Sequence, residues 1–355
     1  MSPTWVILAS FIYLAILFGI AWAGDRYPLY EKRAWLRPTV YSLALAVYCS
    51  SWTFYGAVGS AVRHGWGYLP IYLGPFLMMV FFWRFLERLA LAAQTQKIVS
   101  ISDFMASRYE RSQRLAGLVT IVALVAVVPY LALQFKAVTM SIGVFIGHEI
   151  SSIIFGDPAL YVAALMALFV IVFGTRQADA TEHRPGLMLA IAAESLIKLV
   201  ALIAVGIFAF IWLTVDDLDA VGAIHTLTQH TSSMSFVGQT LLAFAAVICL
   251  PRQFHVAIVE SGDVRDIRSA RWIFSLYLVL IALMVLPITM VAFNVFEDSS
   301  ATTTAVMVDS YVLLLPLYKA QKALALLVYI GGFSAATGMM IVTSVALSTM
   351  VSNDL

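Results

Sequence analysis

The chain has 355 residues, of which 62% are hydrophobic and 12% are charged, and its mean hydropathy is +0.92. A soluble domain carries about 25% charged residues, so this composition excludes an ordinary water-soluble fold and predicts an integral membrane protein. The formal net charge is +1 and there is no long basic run, so nothing attracts the chain to nucleic acid. Cys49 and Cys249 lie in apolar segments and indicate neither a disulfide framework nor a metal site.

Nine apolar segments are long enough to cross a bilayer as helices, because a span needs about 20 predominantly apolar residues. They lack the alternation of β-barrel strands, so we expect a single all-α membrane domain over residues 1–355 with about nine transmembrane helices. The first segment follows no basic residue and precedes further spans, so we interpret it as a retained helix rather than a signal peptide. The segments are Trp5–Ala23, Pro38–Val62, Gly65–Trp83, Leu115–Gly147, Pro158–Thr175, Pro185–Val215, Phe236–Val259, Trp272–Phe296 and Ala323–Asn353.

Prolines indicate where two of these helices are interrupted. The fourth and ninth segments exceed 30 residues and are longer than a hydrocarbon core of about 30 Å requires. They must tilt, protrude or break, and Pro129 offers a break in the fourth. Pro251 predicts a break in the seventh segment, because proline removes a backbone hydrogen bond.

The loops predict an orientation and one short helix. Alternate loops place 15 Lys or Arg residues on one side of the membrane and three on the other. By the positive-inside rule the N-terminus is outside and the C-terminus is cytoplasmic, in agreement with an odd helix count. In the basic loop Lys97–Arg114, Ser100 and Asp103 predict a capped cytoplasmic helix, and an ordinary solvated connector is the alternative.

Ionisable residues inside the segments point to a function, because each charge in a span costs about 2.5–3.5 kcal/mol on insertion scales. Glu194 and Lys198 are four residues apart on one helix face, which predicts either a structural charge pair or a proton or solute relay. Lys136 needs a counter-charge, for which Glu194 is the only acid inside a segment. The alternative is a Lys136 side chain that extends to the outer interface.

The seventh segment carries Arg252 and His255 beside the predicted break at Pro251. A broken helix with a nearby cation is typical of transporters that bind a carboxylate-bearing solute. The alternatives are an Arg252 side chain that reaches the cytoplasmic surface and a His255 that is a packed core residue. Small polar residues at positions 50–56 of the second segment predict close helix packing or ion binding.

Four stretches carry a family resemblance: Cys49–Gly59, Ile101–Tyr109, Phe173–Arg176 and Leu250–His255. In this order and spacing the chain resembles the sodium/solute symporter family over essentially its whole length. It is most similar to the symporter-like N-terminal input domain of bacterial membrane sensor histidine kinases. The resemblance implies an inverted-repeat, LeuT-like fold with broken second and seventh helices around a central site. Residues 1–37 would form an extra helix and loop, 38–215 the first five-helix repeat and 236–355 an incomplete second repeat.

The resemblance also implies site residues. We expect Tyr130, Gln134, Arg252 and His255 to contact a small organic solute, with an amino acid as the expected class. A sodium site in this family takes carbonyls of the second helix and two adjacent hydroxyls of the ninth. The aligned positions 338 and 339 lack hydroxyls here, so we expect proton coupling or no coupling instead of sodium coupling. The degenerate ion site comprises Ala46, Cys49, Ala335, Thr337 and Gly338.

These features lead to two functional hypotheses. The first is a solute transport or sensing module in the bacterial inner membrane, with no cofactor beyond a coupling proton or sodium ion. The second is a non-transporting sensory input domain of a two-component histidine kinase, whose catalytic part would be the signalling partner. A membrane enzyme is disfavoured because His183 and His255 have no partnered serine or cysteine motif. Because the second repeat is incomplete, we expect a truncated sequence.

Overall fold

The computed structural model describes residues 3–27, 30, 33, 35–146, 158–169, 171–172, 184–229, 233–296 and 308–355. Every regular element in these ranges is helical, which confirms the all-α prediction. In chain order the α-helices are α1 (Pro3–Arg26), α2 (Leu36–Leu45), α3 (Ala57–His64), α4 (Pro70–Phe81), α5 (Trp83–Gln96), α6 (Ile101–Arg108), α7 (Gln113–Ile146), α8 (Pro158–Phe169), α9 (Pro185–Val215), α10 (Ala220–Gln229), α11 (Ser233–Cys249), α12 (Pro251–Phe254), α13 (Asp266–Phe296), α14 (Tyr311–Tyr318) and α15 (Lys322–Asp354).

Five of these helices, α1, α7, α9, α13 and α15, are long and apolar enough to cross a membrane. A sixth candidate is α11 with the helical residues after Leu250, which bend by 54° at the break. The other predicted segments are interrupted or short: the second is split between α2 and α3, and the third forms the 12-residue α4. The structure therefore supports a helical membrane protein, and the number nine stays a prediction.

The local signals were confirmed unevenly. Helix α7 runs for 34 residues through Pro129 without ending, so the break considered there does not occur. Helix α15 is continuous over 33 residues. In the basic loop, the hydroxyl of Ser100 accepts a hydrogen bond from the backbone N–H of Asp103 at 3.0 Å and caps α6, which confirms the predicted short helix. Helices α10 and α14 were not predicted.

Helix α9 is the centre of the packing, because it contacts α1, α13 and α15. Most of the apolar part of α15 is buried, whereas α7 leaves most of its apolar surface exposed. Large apolar side chains lie on outer faces, among them Ile121 (50% exposed), Val125 (70%) and Phe210 (57%). Water would disfavour such surfaces and lipid accepts them, so the packing supports a membrane-embedded chain.

Ion pairs connect helix ends that are distant in sequence. Arg37 at the start of α2 donates to Asp266 at the start of α13, with Nε and Oδ2 2.7 Å apart. At the end of α9, Asp216 accepts a hydrogen bond from Lys319 at 2.6 Å, and this bond lowers the pKa of the Asp216 carboxyl. These contacts fix where α2 and α9 lie relative to their neighbours.

The contact between α4 and α11 is close enough to predict a substitution effect. A Cβ atom at Gly74 would lie 2.6 Å from the backbone carbonyl carbon of Ala243, so Gly74→Ala must push the two helices apart. We expect a loss of about 1–3 kcal/mol, seen as a lower thermal unfolding midpoint of the purified protein in detergent. The control is Gly238→Ala on α11, because no atom lies within 4 Å of the added methyl group. Equal midpoints for the two variants would contradict the packing.

Candidate functional site

Two interrupted helices define the site. After α2, a 3₁₀ turn over Ala46–Tyr48 leads to Cys49, which is extended with φ −77° and ψ 97°, and the chain then resumes as helix. After α11, Leu250 is extended with φ −77° and ψ 125°, and α12 follows from Pro251. Each interruption is followed by a five-residue π-helix, Trp52–Gly56 and His255–Val259 respectively. The break predicted at Pro251 is confirmed, and the second predicted segment is also broken.

The breaks free backbone groups that an unbroken helix would have paired. The amide of Gln253, next to the second break, donates from Nε2 to the carbonyl oxygen of Leu45 at 3.2 Å. Gln134 of α7 accepts from the backbone N–H of Ser51 at 3.2 Å and from its hydroxyl at 2.8 Å. Side chains from α7 and α12 therefore satisfy the first break, as a low-dielectric interior requires.

Lys198 of α9 completes this set. Its side chain is only 2% exposed, and its Nζ donates to the carbonyl oxygens of Cys49 at 2.9 Å and Ala46 at 3.3 Å. Ala46 and Cys49 are the residues whose carbonyls we expected in an ion site. The structure brings these two carbonyls together, and the group that they bind is the side-chain nitrogen of Lys198.

Glu194 lies one helical turn before Lys198, with its own partners. Its Oε1 accepts hydrogen bonds from the hydroxyls of Tyr13 at 2.8 Å and Thr337 at 2.9 Å. Its Oε2 has no hydrogen-bond partner and lies against Gly338, where a Cβ atom would be 3.0 Å from the Glu194 Cδ. Glu194 and Lys198 share a face as predicted, but the structure gives them no direct ion pair among the described residues.

The ninth predicted segment, now α15, contributes less to an ion site than expected. Ala335 is fully buried and offers no polar side chain. Thr337 carries the hydroxyl of the predicted set, and that hydroxyl donates to Glu194. Gly338 provides room for the Glu194 carboxylate. The predicted ion site is therefore occupied by the side chains of α9.

A cavity of about 760 Å³ lies beside the two breaks, between α7 and α11. Most of its lining is apolar, and its polar lining includes Tyr130, Ser50 and Arg252 next to the breaks. The Tyr130 hydroxyl accepts from Arg252 Nη2 at 3.3 Å and lies 2.8 Å from the Ser50 hydroxyl. The guanidinium group also stacks over the Tyr130 ring, 4.7 Å from its centroid, which is a cation–π contact.

Among the described residues, the charge of Arg252 lacks an anionic partner. The side chain is 5% exposed, and no carboxylate in the described part of the chain forms an ion pair with it. Its Nε is buried without a hydrogen-bond acceptor. Because a buried charge is normally paired, this guanidinium at a cavity wall is suited to bind an anionic group of a ligand.

Two of the four predicted solute contacts, Gln134 and His255, do not line the cavity, and neither does Lys136. Gln134 binds Ser51 behind the cavity wall. His255 points elsewhere, and its Nε2 lies 3.2 Å from Nη1 of Arg184 and 3.3 Å from Oε1 of Glu260. Residues 252 and 255 therefore contact different neighbours. Lys136 is exposed on α7, so the prediction that it neutralises Glu194 is wrong, and the alternative that its side chain extends to the outer interface stays a prediction.

Some functional contacts were missed by sequence reasoning. Tyr13 contacts Glu194 from α1, and no local pattern connects two residues 181 positions apart. Gln253 was part of the motif around Pro251. Its hydrogen bond to Leu45 forms only because the two breaks lie next to each other, which the sequence did not predict. The stretch Phe173–Arg176 lies outside the described residues.

No protein-family model matches this chain, and no curated protein sequence matches it at a significant level.

The position of Glu194 against Gly338 predicts a double-mutant effect. Gly338→Ala places a methyl group where the Glu194 carboxylate lies, and we expect a loss of about 1–3 kcal/mol in unfolding free energy. The loss should nearly vanish in a Glu194→Ala background, because the clashing group is gone. It should persist in a Glu194→Gln background, which keeps the shape. Thermal unfolding in detergent of the parent, the three single variants and the two double variants gives the loss in each background, and equal losses in every background would contradict this geometry.

Proposed function

We propose that this chain is a solute-binding module of a transporter-type membrane protein, whose cavity binds a small organic solute through a carboxylate group. The observation that carries the proposal is Arg252, a buried cation without an ion-pair partner among the described residues, at the wall of a 760 Å³ cavity. An amino acid is the solute class that we favour, because the rest of the lining is largely apolar and suits a side chain.

The geometry of the breaks supports this assignment. Pro251 and the extended Leu250 direct the chain so that Arg252 lies at the cavity beside Tyr130. The stacked ring and the hydrogen bond hold the guanidinium group in place before a ligand arrives, which reduces the conformational entropy lost on binding. Two interrupted helices next to one cavity are also the arrangement that many secondary transporters use to bind solutes.

The finer organisation is part of the same proposal. We propose the inverted-repeat fold of the sodium/solute symporter family, in a bacterial inner membrane, with the N-terminus outside. The two similar interruptions, each followed by a π-helix, support two related repeats. A sensory input domain of a histidine kinase would use the same cavity, with solute occupancy reported to a partner instead of transport.

The proposal predicts that binding depends on the guanidinium group of Arg252. The protein in nanodiscs is titrated with radiolabelled amino acids, and the amino acid that binds is then measured with Arg252→Gln and Tyr130→Phe. Arg252→Gln should lose about 2–5 kcal/mol of binding free energy, because the ligand carboxylate loses its charged partner. Tyr130→Phe should lose less, because its ring still stacks on Arg252.

The matched control is Arg265→Gln, since Arg265 is exposed and lies outside the cavity lining. Its affinity should equal that of the parent. Unchanged affinity of Arg252→Gln, or no amino acid binding at all, would remove the proposed site. Uptake into proteoliposomes then separates the two functions, because transport requires accumulation of the bound amino acid and sensing requires binding alone.

A further inference from the structure

The first helix break contains a cation that belongs to the protein. The carbonyl oxygens of Ala46 and Cys49 point at one position, and the Nζ of Lys198 occupies it at 3.3 and 2.9 Å. The side chain reaches this position from α9, about 150 residues away in sequence. Lys198 is absent from the cavity lining, so its ammonium group is not a solute contact in this structure.

We propose that Lys198 is a tethered cation that replaces a diffusible metal ion at the first break. The ammonium group supplies the positive charge that the converging carbonyl dipoles need. A second cation at the same two oxygens would meet the Lys198 charge at contact distance, in an interior where like charges repel strongly. The break is therefore held by the chain itself, and its structure does not depend on sodium.

The surroundings of Lys198 support this assignment. Glu194 lies on the same face one turn away, so the buried region contains one positive and one negative group from α9. The Thr337 hydroxyl, which could otherwise coordinate an ion, donates to Glu194. At position 338 a glycine leaves the space that this carboxylate fills. The oxygen atoms that could coordinate a metal ion thus form hydrogen bonds with Lys198 or Glu194 instead.

Lys198 also has a consequence for the solute site, which rests on the proposed function. If solute binding is coupled to the conformation of the first break, the cation that takes part is the Lys198 side chain. This cation belongs to α9 and does not enter from solution. Solute binding should then be the same in sodium and in choline buffers of equal ionic strength. The position of Lys198 itself does not depend on whether a solute binds.

The test uses thermal unfolding of the full chain in nanodiscs. The unfolding midpoint of the parent protein should be the same in sodium chloride and in choline chloride from 1 to 200 mM, at constant ionic strength. A saturable rise of the midpoint in sodium alone would overturn the proposal. This titration requires no variant, so it decides the question even where a substitution prevents folding.

Chemical rescue supplies the second arm. Lys198→Ala removes three methylene groups and the ammonium, which together correspond to n-propylammonium. We expect the midpoint of Lys198→Ala to fall by at least 5 °C, which is the scale of a broken buried polar network. Added n-propylammonium chloride should restore it saturably, whereas choline chloride or n-propanol should not. Lys198→Met, which fills the space without a charge, should stay low in every salt.

The matched control is Lys136→Ala, because Lys136 is an exposed lysine on α7, away from the first break. The unfolding midpoint of Lys136→Ala should match that of the parent, and added n-propylammonium should not change it. A Lys198→Ala midpoint equal to that of Lys136→Ala, or rescue by n-propanol as well, would overturn the role of the charge. Because unfolding is measured without solute, a failed Arg252 experiment with a successful rescue would remove the solute site and leave the tethered cation in place.

Discussion

The structure depends on pairing the backbone groups that two helix interruptions release inside an apolar bundle. An unpaired peptide group in hydrocarbon costs several kcal/mol, so each freed carbonyl or N–H needs a partner from the protein. Gln253 donates to Leu45, Gln134 accepts from Ser51, and Lys198 of α9 donates to the carbonyls of Ala46 and Cys49. The polar side chains that look misplaced in this hydrophobic sequence are therefore the groups that make the broken backbone stable there.

The buried charges divide into two classes with different physical roles. Lys198 and Glu194 have several hydrogen-bond partners each from the surrounding helices, so they stabilise the arrangement of α1, α9 and α15 around the first break. In the described part of the chain, the Arg252 guanidinium contacts a neutral hydroxyl and an aromatic ring but no carboxylate. Buried charges that bind neighbouring helices are evidence for architecture, whereas a buried cation at a cavity wall is evidence for ligand binding.

Local signals predicted the helices well and the contacts between them poorly. Hydropathy predicted α9 at its observed bounds, and proline chemistry predicted the break at Pro251. The same chemistry failed at Pro129, because packing and neighbouring turns tolerate one missing hydrogen bond in a long helix. Helical spacing placed Glu194 and Lys198 on one face, but partner choice depended on Tyr13 and on a break in another helix. No periodicity within one segment encodes such distant contacts.

The hydrogen bond from Gln253 to Leu45 has a mechanical consequence. It links the two interrupted helices directly, one from each half of the sequence, at the points where each is most easily bent. A rotation of either half must therefore carry the other break with it or rupture this bond. The Gln253 amide therefore couples the two interruptions directly. A movement at one of them is transmitted to the other through this hydrogen bond and not through the surrounding helices.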